Sequence, residues 1–175
     1  MDRFNQNTGG PNPNAPAALS QFAFLIGAWR CDAKVKSANG EWQTFKGTWL
    51  GSFILDGYAI ADEYRMTGPS GELIVLGMNF RTYDAARQIW NIKRLDALAG
   101  MWTDLGSEEF GGVRFDGQSI TYVLKEPMAA HAYTRATYKN ISKMHFTWRG
   151  EKSDDGNAWT EFMVVEVYRS DDEDS

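Results

Sequence analysis

From Trp29 to Arg169 the chain alternates apolar and polar residues in short runs, and tight-turn sequences cut the runs apart. That pattern constrains the fold more than any other feature. A period of two belongs to strands, whose successive side chains point to opposite faces. Trp29, Cys31, Ala33 and Val35 alternate with Arg30, Asp32, Lys34 and Lys36, which describes a half-buried strand. Ala38-Asn39-Gly40 follows, and Asn-Gly accepts the positive φ that a hairpin turn requires. Phe45, Gly47, Trp49, Gly51 and Phe53 share one face of the next strand. Two glycines on that face imply a sharp bend or a close neighbour, as a barrel corner needs.

Further strands are expected over 58–67, 72–83, 89–97, 101–110, 113–115, 119–124, 131–140, 143–152 and 159–169. Turns at Leu55-Asp56-Gly57, Gly68-Pro69-Ser70-Gly71, Gly111-Gly112, Asp116-Gly117 and Ser153-Asp154-Asp155-Gly156 separate many of them. One short amphipathic helical segment, Ala17–Leu25, is expected before the strands. It is too short to stand alone and suits a plug at one end of a larger element. About nine or ten sequential, twisted strands close most simply into an all-β, antiparallel up-and-down barrel, which removes its own edges. A two-sheet sandwich is the alternative.

At 175 residues the chain makes one domain, residues 17–170, large enough to need no staple. Residues 1–16 are polar and proline-rich and are expected to form a disordered tail or an arm on a partner subunit, which leaves room for a homodimer. Residues 171–175 form an acidic tail. A net charge of −5 without a Lys/Arg run argues against nucleic acid and anionic membranes. No apolar run reaches a membrane span and the first residues hold no apolar signal core, so a cytoplasmic location is expected. The single cysteine, Cys31, reads as a small buried apolar residue. His131, His145 and Cys31 lie far apart, so neither a metal nor another cofactor is expected.

A short helix followed by Gly27-Ala28-Trp29 at the start of the first strand resembles the opening of lipocalins and the wider calycin superfamily. The resemblance implies that Trp29 seals the closed end of the barrel and that Arg169, ending the last strand, lies across its ring. The ordered segments Leu55-Asp56-Gly57, Gly77 to Asp84 with Trp90, Leu95-Asp96, Phe146-Thr147-Trp148 and Trp159 to Arg169 resemble a bacterial branch of lipocalin-like small proteins. No common activity carries over from that branch. A neighbouring group of barrels binds haem through a histidine, but the glycine-rich segment expected after the first Trp is replaced here by Arg30-Cys31-Asp32-Ala33.

Strand parity then sorts inside from outside. The apolar-rich set taken as the interior includes Trp49, Leu76, Met78, Phe80, Trp90, Trp148, Met163 and Val165. Asp62, Tyr64, Arg94, Asp96 and Glu161 share its parity and need partners if buried. They form either a structural network centred on Arg94 or the polar end of a pocket. In the leading reading the barrel binds a small, partly aromatic or apolar molecule through Tyr64, Arg94, Trp49, Met78, Trp90, His131, Tyr133 and Trp148. The runner-up is a cofactor-independent isomerase or lyase with Asp62, Asp96 or Glu161 as acid or base. A third is a barrel filled by its own side chains and used for protein association.

Overall fold

The structure is a computed structural model that describes residues 10–126 and 131–170. Its eleven described strands are β1 (Gly27–Lys36), β2 (Trp42–Ile54), β3 (Ala59–Thr67), β4 (Leu73–Asp84), β5 (Ile89–Asp96), β6 (Met101–Leu105), β7 (Arg114–Asp116), β8 (Ser119–Lys125), β9 (Tyr133–Lys139), β10 (His145–Ser153) and β11 (Thr160–Arg169). They form one antiparallel sheet in the order β6-β5-β4-β3-β2-β1-β11-β10-β9-β8-β7. Each strand lies beside its sequence neighbours except β6 and β7, which stand at the two ends of the order, and the pairing of β1 with β11 joins the two halves of the chain. The sheet curls until its far edges approach, and the Gly106 N–H donates to the Val123 carbonyl at 3.3 Å between them.

Residues Ala17–Leu25 form a 3-10 helix. A 3-10 helix turns every three residues, so Leu19, Phe22 and Leu25 fall on one stripe. All three are fully buried in the barrel floor. Each such burial contributes about 1.5–3 kcal/mol, which explains why an uncapped helix this short persists. Gly51 makes the docking tight: a Cβ there would strike the Leu25 carbonyl and come within 3.2 Å of the Ile26 nitrogen. Gly47 likewise lies against the Arg65 carbonyl.

The floor is locked as the Gly-x-Trp resemblance implies. Trp29 is buried and its indole N–H donates to the Leu25 carbonyl at 3.0 Å. Arg169, the register partner of Trp29, lies 3.6 Å from the ring centroid. Its guanidinium also donates to the carbonyls of Ile26 at 2.6 Å and Lys143 at 3.2 Å.

Interior parity follows expectation on β1, β2, β5 and most of β11, and departs from it in two places. On β4 the inward residues are Val75, Gly77, Asn79 and Arg81, because they pair with Met66, Tyr64, Asp62 and Ile60. Met78 and Phe80 therefore face outward, where Met78 pairs with Leu95 and the Phe80 ring lies tilted 5.9 Å from that of Trp102. On β11 the register passes from Gly150↔Met163 to Glu151↔Glu161, which leaves Phe162 as an extra residue. That bulge turns Phe162 inward and moves Glu161 to the outer face.

At the amino end, Asn12 donates from its backbone and side chain to the carbonyls of Gly57 and Asp56, so residues 10–16 run along the chain's own turn. The rest of the expected tail, 1–9, and the acidic end, 171–175, lie outside the described residues. Among the described residues no helix is long and apolar enough to cross a membrane.

Gly51→Ala is expected to cost about 1–3 kcal/mol, because backbone rather than a flexible side chain fills the space, measured by urea denaturation. Burial pushes the Cys31 thiol up to about 12, with Asp32 adding to the shift. The folded protein should therefore leave Cys31 unlabelled by a disulfide reagent at about pH 8 and expose it fully in denaturant. The stability linked to that thiol is complete below its unfolded value and declines as pH rises from about 9 toward 12.

Candidate functional site

Above the floor the interior is not filled. A cavity of about 340 Å³ remains between β2–β5 on one side and β8–β11 on the other. Its walls differ. Ala136, Leu124, Met163, Val165 and the rings of Trp49, Trp148 and Phe162 supply apolar surface. Tyr64, Asn79, Arg94 and Asp96 form a polar strip across β3, β4 and β5, where Tyr64 pairs with Gly77, Gly77 with Asp96, and Asn79 with Arg94.

Asp62 underlies this strip. Fully buried, it makes an ion pair with the fully buried Arg81. Its other oxygen accepts the Trp49 indole N–H and the Asn79 amide, each at 2.9 Å. Arg81 donates to the Tyr138 hydroxyl at 3.0 Å and lies 5.0 Å from the Phe22 ring centroid. The Tyr138 hydroxyl is 3.4 Å from that of Tyr122. Burial first, then the neighbouring Tyr122, raises the Tyr138 hydroxyl well above its ordinary pKa. The result is a polar network running from floor to cavity wall, in which both Asp62 oxygens are engaged and Arg81 Nε has no partner among the described residues.

Three polar atoms of the strip have no hydrogen-bond partner among the described residues. They are the Tyr64 hydroxyl, Asn79 Oδ1 and Arg94 Nε, all buried. Burial holds the Tyr64 hydroxyl protonated by raising its pKa. Arg94 has only a long contact to Glu126, 3.9 Å from Nη2 to the carboxylate.

Of the residues singled out from sequence, Trp49, Tyr64, Arg94, Asp96, His131 and Trp148 line this cavity together. Asp96 does so while one oxygen accepts the N–H groups of Leu98 and Ala99 in the following turn. His131 stands beside the Thr134 hydroxyl at 3.0 Å. The other positions differ from expectation. Met78 faces outward for the register reason given above. Trp90 points inward but sits in the floor, its N–H on Gln21 and its ring 4.8 Å from Phe22. Tyr133 and Arg135 lie on the outer face of β9, because Thr134 and Ala136 take the cavity side. Arg135 there bonds Glu151 at 2.8 Å and covers Trp159. Glu161 pairs with Arg149 outside the barrel. Arg94 thus pairs with none of Asp62, Asp96 or Glu161.

Asn79 and Arg81 escape sequence reasoning because the richer apolar set on β4 lies on its outer face. The buried Asp62 on the adjoining strand demanded a cation, and Arg81 supplies it. Glu126 and Phe162 carried no comparable signal, one in a connection and the other at a bulge. Residues 127–130 of that connection lie outside the described residues. Among the described residues no three His, Cys, Asp or Glu side chains converge as metal ligands.

No family model matches the chain, and no curated protein does. Solved structures do. Rv2717c from M. tuberculosis matches at a TM-score of 0.63 and 10% identity, over 90% of this chain and all of that one. The chain has a lipocalin-like barrel fold. The S-type phycobiliprotein lyase CPES from Guillardia theta matches at 0.56 and 8% identity, over 88% of this chain and 93% of that one. At such identities the likeness concerns the fold.

Asp62→Asn should destabilise the protein by about 3–5 kcal/mol, since it leaves Arg81 buried without its countercharge. The double change Asp62→Leu with Arg81→Met should recover much of that loss in the same urea titration.

Proposed function

We propose that the barrel binds a small, mainly apolar or aromatic molecule in its interior and orients it through Tyr64, Asn79 and Arg94. One observation carries this reading: three residues that line a mainly apolar cavity each hold a buried polar atom without a partner among the described residues. A buried unsatisfied polar group costs about 1–3 kcal/mol, so a wall made only for stability would pair or omit such groups. A bound molecule with matching groups removes that cost. The cavity volume lies at the lower end of the range for small-ligand sites, about 300–1,000 Å³, which suits one or two fused rings.

The competing readings have less support. For acid–base catalysis Asp62 offers no free oxygen and Glu161 stands outside. Asp96 alone of the three borders the cavity, and it also holds a turn. A filled barrel is at odds with the cavity. The calycin relation implied by Gly27-Ala28-Trp29 and Arg169 is part of this proposal, since the floor is built as that resemblance implies.

The neutral dye N-phenyl-1-naphthylamine should bind the full chain with a fluorescence gain. Ala136→Phe, which places a ring in the cavity, should lower dye affinity at least about tenfold. Retained folding would be checked by circular dichroism, with Val75→Phe as a second blocking variant. Dye binding unchanged in both folded variants would overturn the reading.

A further inference from the structure

The orientation of one amide specifies what the cavity can recognise. A carboxylate only accepts hydrogen bonds. The Asn79 group that faces Asp62 at 2.9 Å must therefore be its NH2. Oδ1 is thereby committed to the other side, where it is buried and has no partner among the described residues. It is an acceptor whose role cannot be exchanged by flipping the amide, because a flip would set oxygen against the Asp62 carboxylate.

Arg94 is the direct register partner of Asn79 on the neighbouring strand. Its Nε can only donate, and it too is buried without a partner among the described residues. Cross-strand partners carry their side chains side by side, with Cβ atoms about 4.5–5.5 Å apart. Two neighbouring residues of the cavity lining thus carry, side by side, an unpaired acceptor held in its orientation by Asp62 and an unpaired donor. Gly77, two residues before Asn79 on β4, adds no side chain to the strip, so a flat ring can lie close to the backbone there. A Cβ at Gly77 would come within 3.1 Å of the Leu95 carbonyl. Ala136 and Val165 face the strip from across the interior with small apolar side chains.

Charge narrows the class further. Among the described residues, Asp96 and Glu126 line the same cavity and Arg94 is its one guanidinium; the other titratable groups on it are His131, Tyr64, Tyr122 and Tyr138. A carboxylate ligand would meet Asn79 Oδ1 and two acidic side chains. A hydrocarbon would leave all three strip atoms unpaired.

We infer that the cavity selects a neutral, planar, mainly apolar molecule that carries a hydrogen-bond donor directly beside an acceptor, the edge of a cyclic amide. The ligand N–H donates to Asn79 Oδ1 and its carbonyl accepts from Arg94 Nε, with the Tyr64 hydroxyl in reach of the same edge. This rests on the binding reading above and adds the chemical class.

Displacement of N-phenyl-1-naphthylamine from the full chain tests it with three compounds of matched size. 2-Quinolinone carries the complete edge, coumarin lacks the N–H, and 2-naphthoate is an anion. 2-Quinolinone should displace the dye at about tenfold lower concentration than either of the others, the difference one well-made buried hydrogen bond confers. Asn79→Leu should erase the preference for 2-quinolinone over coumarin. Should that variant fail to fold, N-methyl-2-quinolinone removes the same bond from the ligand side and should behave like coumarin. Arg94→Met should weaken both neutral compounds together. Equal displacement by 2-quinolinone and coumarin, stronger displacement by 2-naphthoate, or no displacement by any of the three would overturn the cyclic-amide assignment while leaving dye binding intact. Loss of the binding reading itself would show differently, as dye fluorescence indifferent to Ala136→Phe and Val75→Phe.

Discussion

Asp62 and Arg81 face each other across β3 and β4 with no access to solvent, among the aromatic and aliphatic side chains that make up most of the barrel interior. Two charges removed from water are tolerated only when their remaining donors and acceptors are also occupied. Here Trp49, Asn79 and Tyr138 supply most of that satisfaction. Each of these three also borders the cavity. The ion pair therefore sets the orientation of the side chains that a ligand would touch. Asn79 shows the effect most directly, since its amide can point only one way beside a carboxylate.

The two ends of the barrel are built differently. At the floor, the 3-10 helix, Trp29, Trp90 and Arg169 combine apolar burial with donation to helix and loop carbonyls. Close backbone approach at Gly51 leaves little space there. At the other end the polar strip borders open volume, and the contact of Arg94 with Glu126 is long. Rigidity below and unpaired donors above are what an interior site requires, because a wall that holds its shape without the ligand avoids the cost of ordering on binding.

Much of the architecture was legible in the chain itself. Period-two alternation and the Gly, Pro and Asn turns placed nearly every strand, because both signals act within a few residues. The Gly-x-Trp resemblance pointed to the floor, and the parity of β2 and β5 placed Trp49, Arg94 and Asp96 inside. Six of the residues proposed for the site meet in one cavity. The failures share a cause. On β4 both faces carry apolar residues outside or in part, so counting them selected the wrong face. On β11 one inserted residue exchanged Phe162 for Glu161, and a bulge leaves no mark in the alternation.

The sequence by itself determined an all-β chain of short antiparallel strands with a helical plug, since local backbone preference and alternation suffice for that. Only the tertiary structure decided which face of β4 is inside, which carboxylate is locked in an ion pair, and which polar atoms remain unpaired among the described residues. Those depend on cross-strand register and on the partner a buried charge finds on a neighbouring strand. Asp62 and Arg81 lie nineteen positions apart in the chain, and nothing local in either segment specifies that they meet.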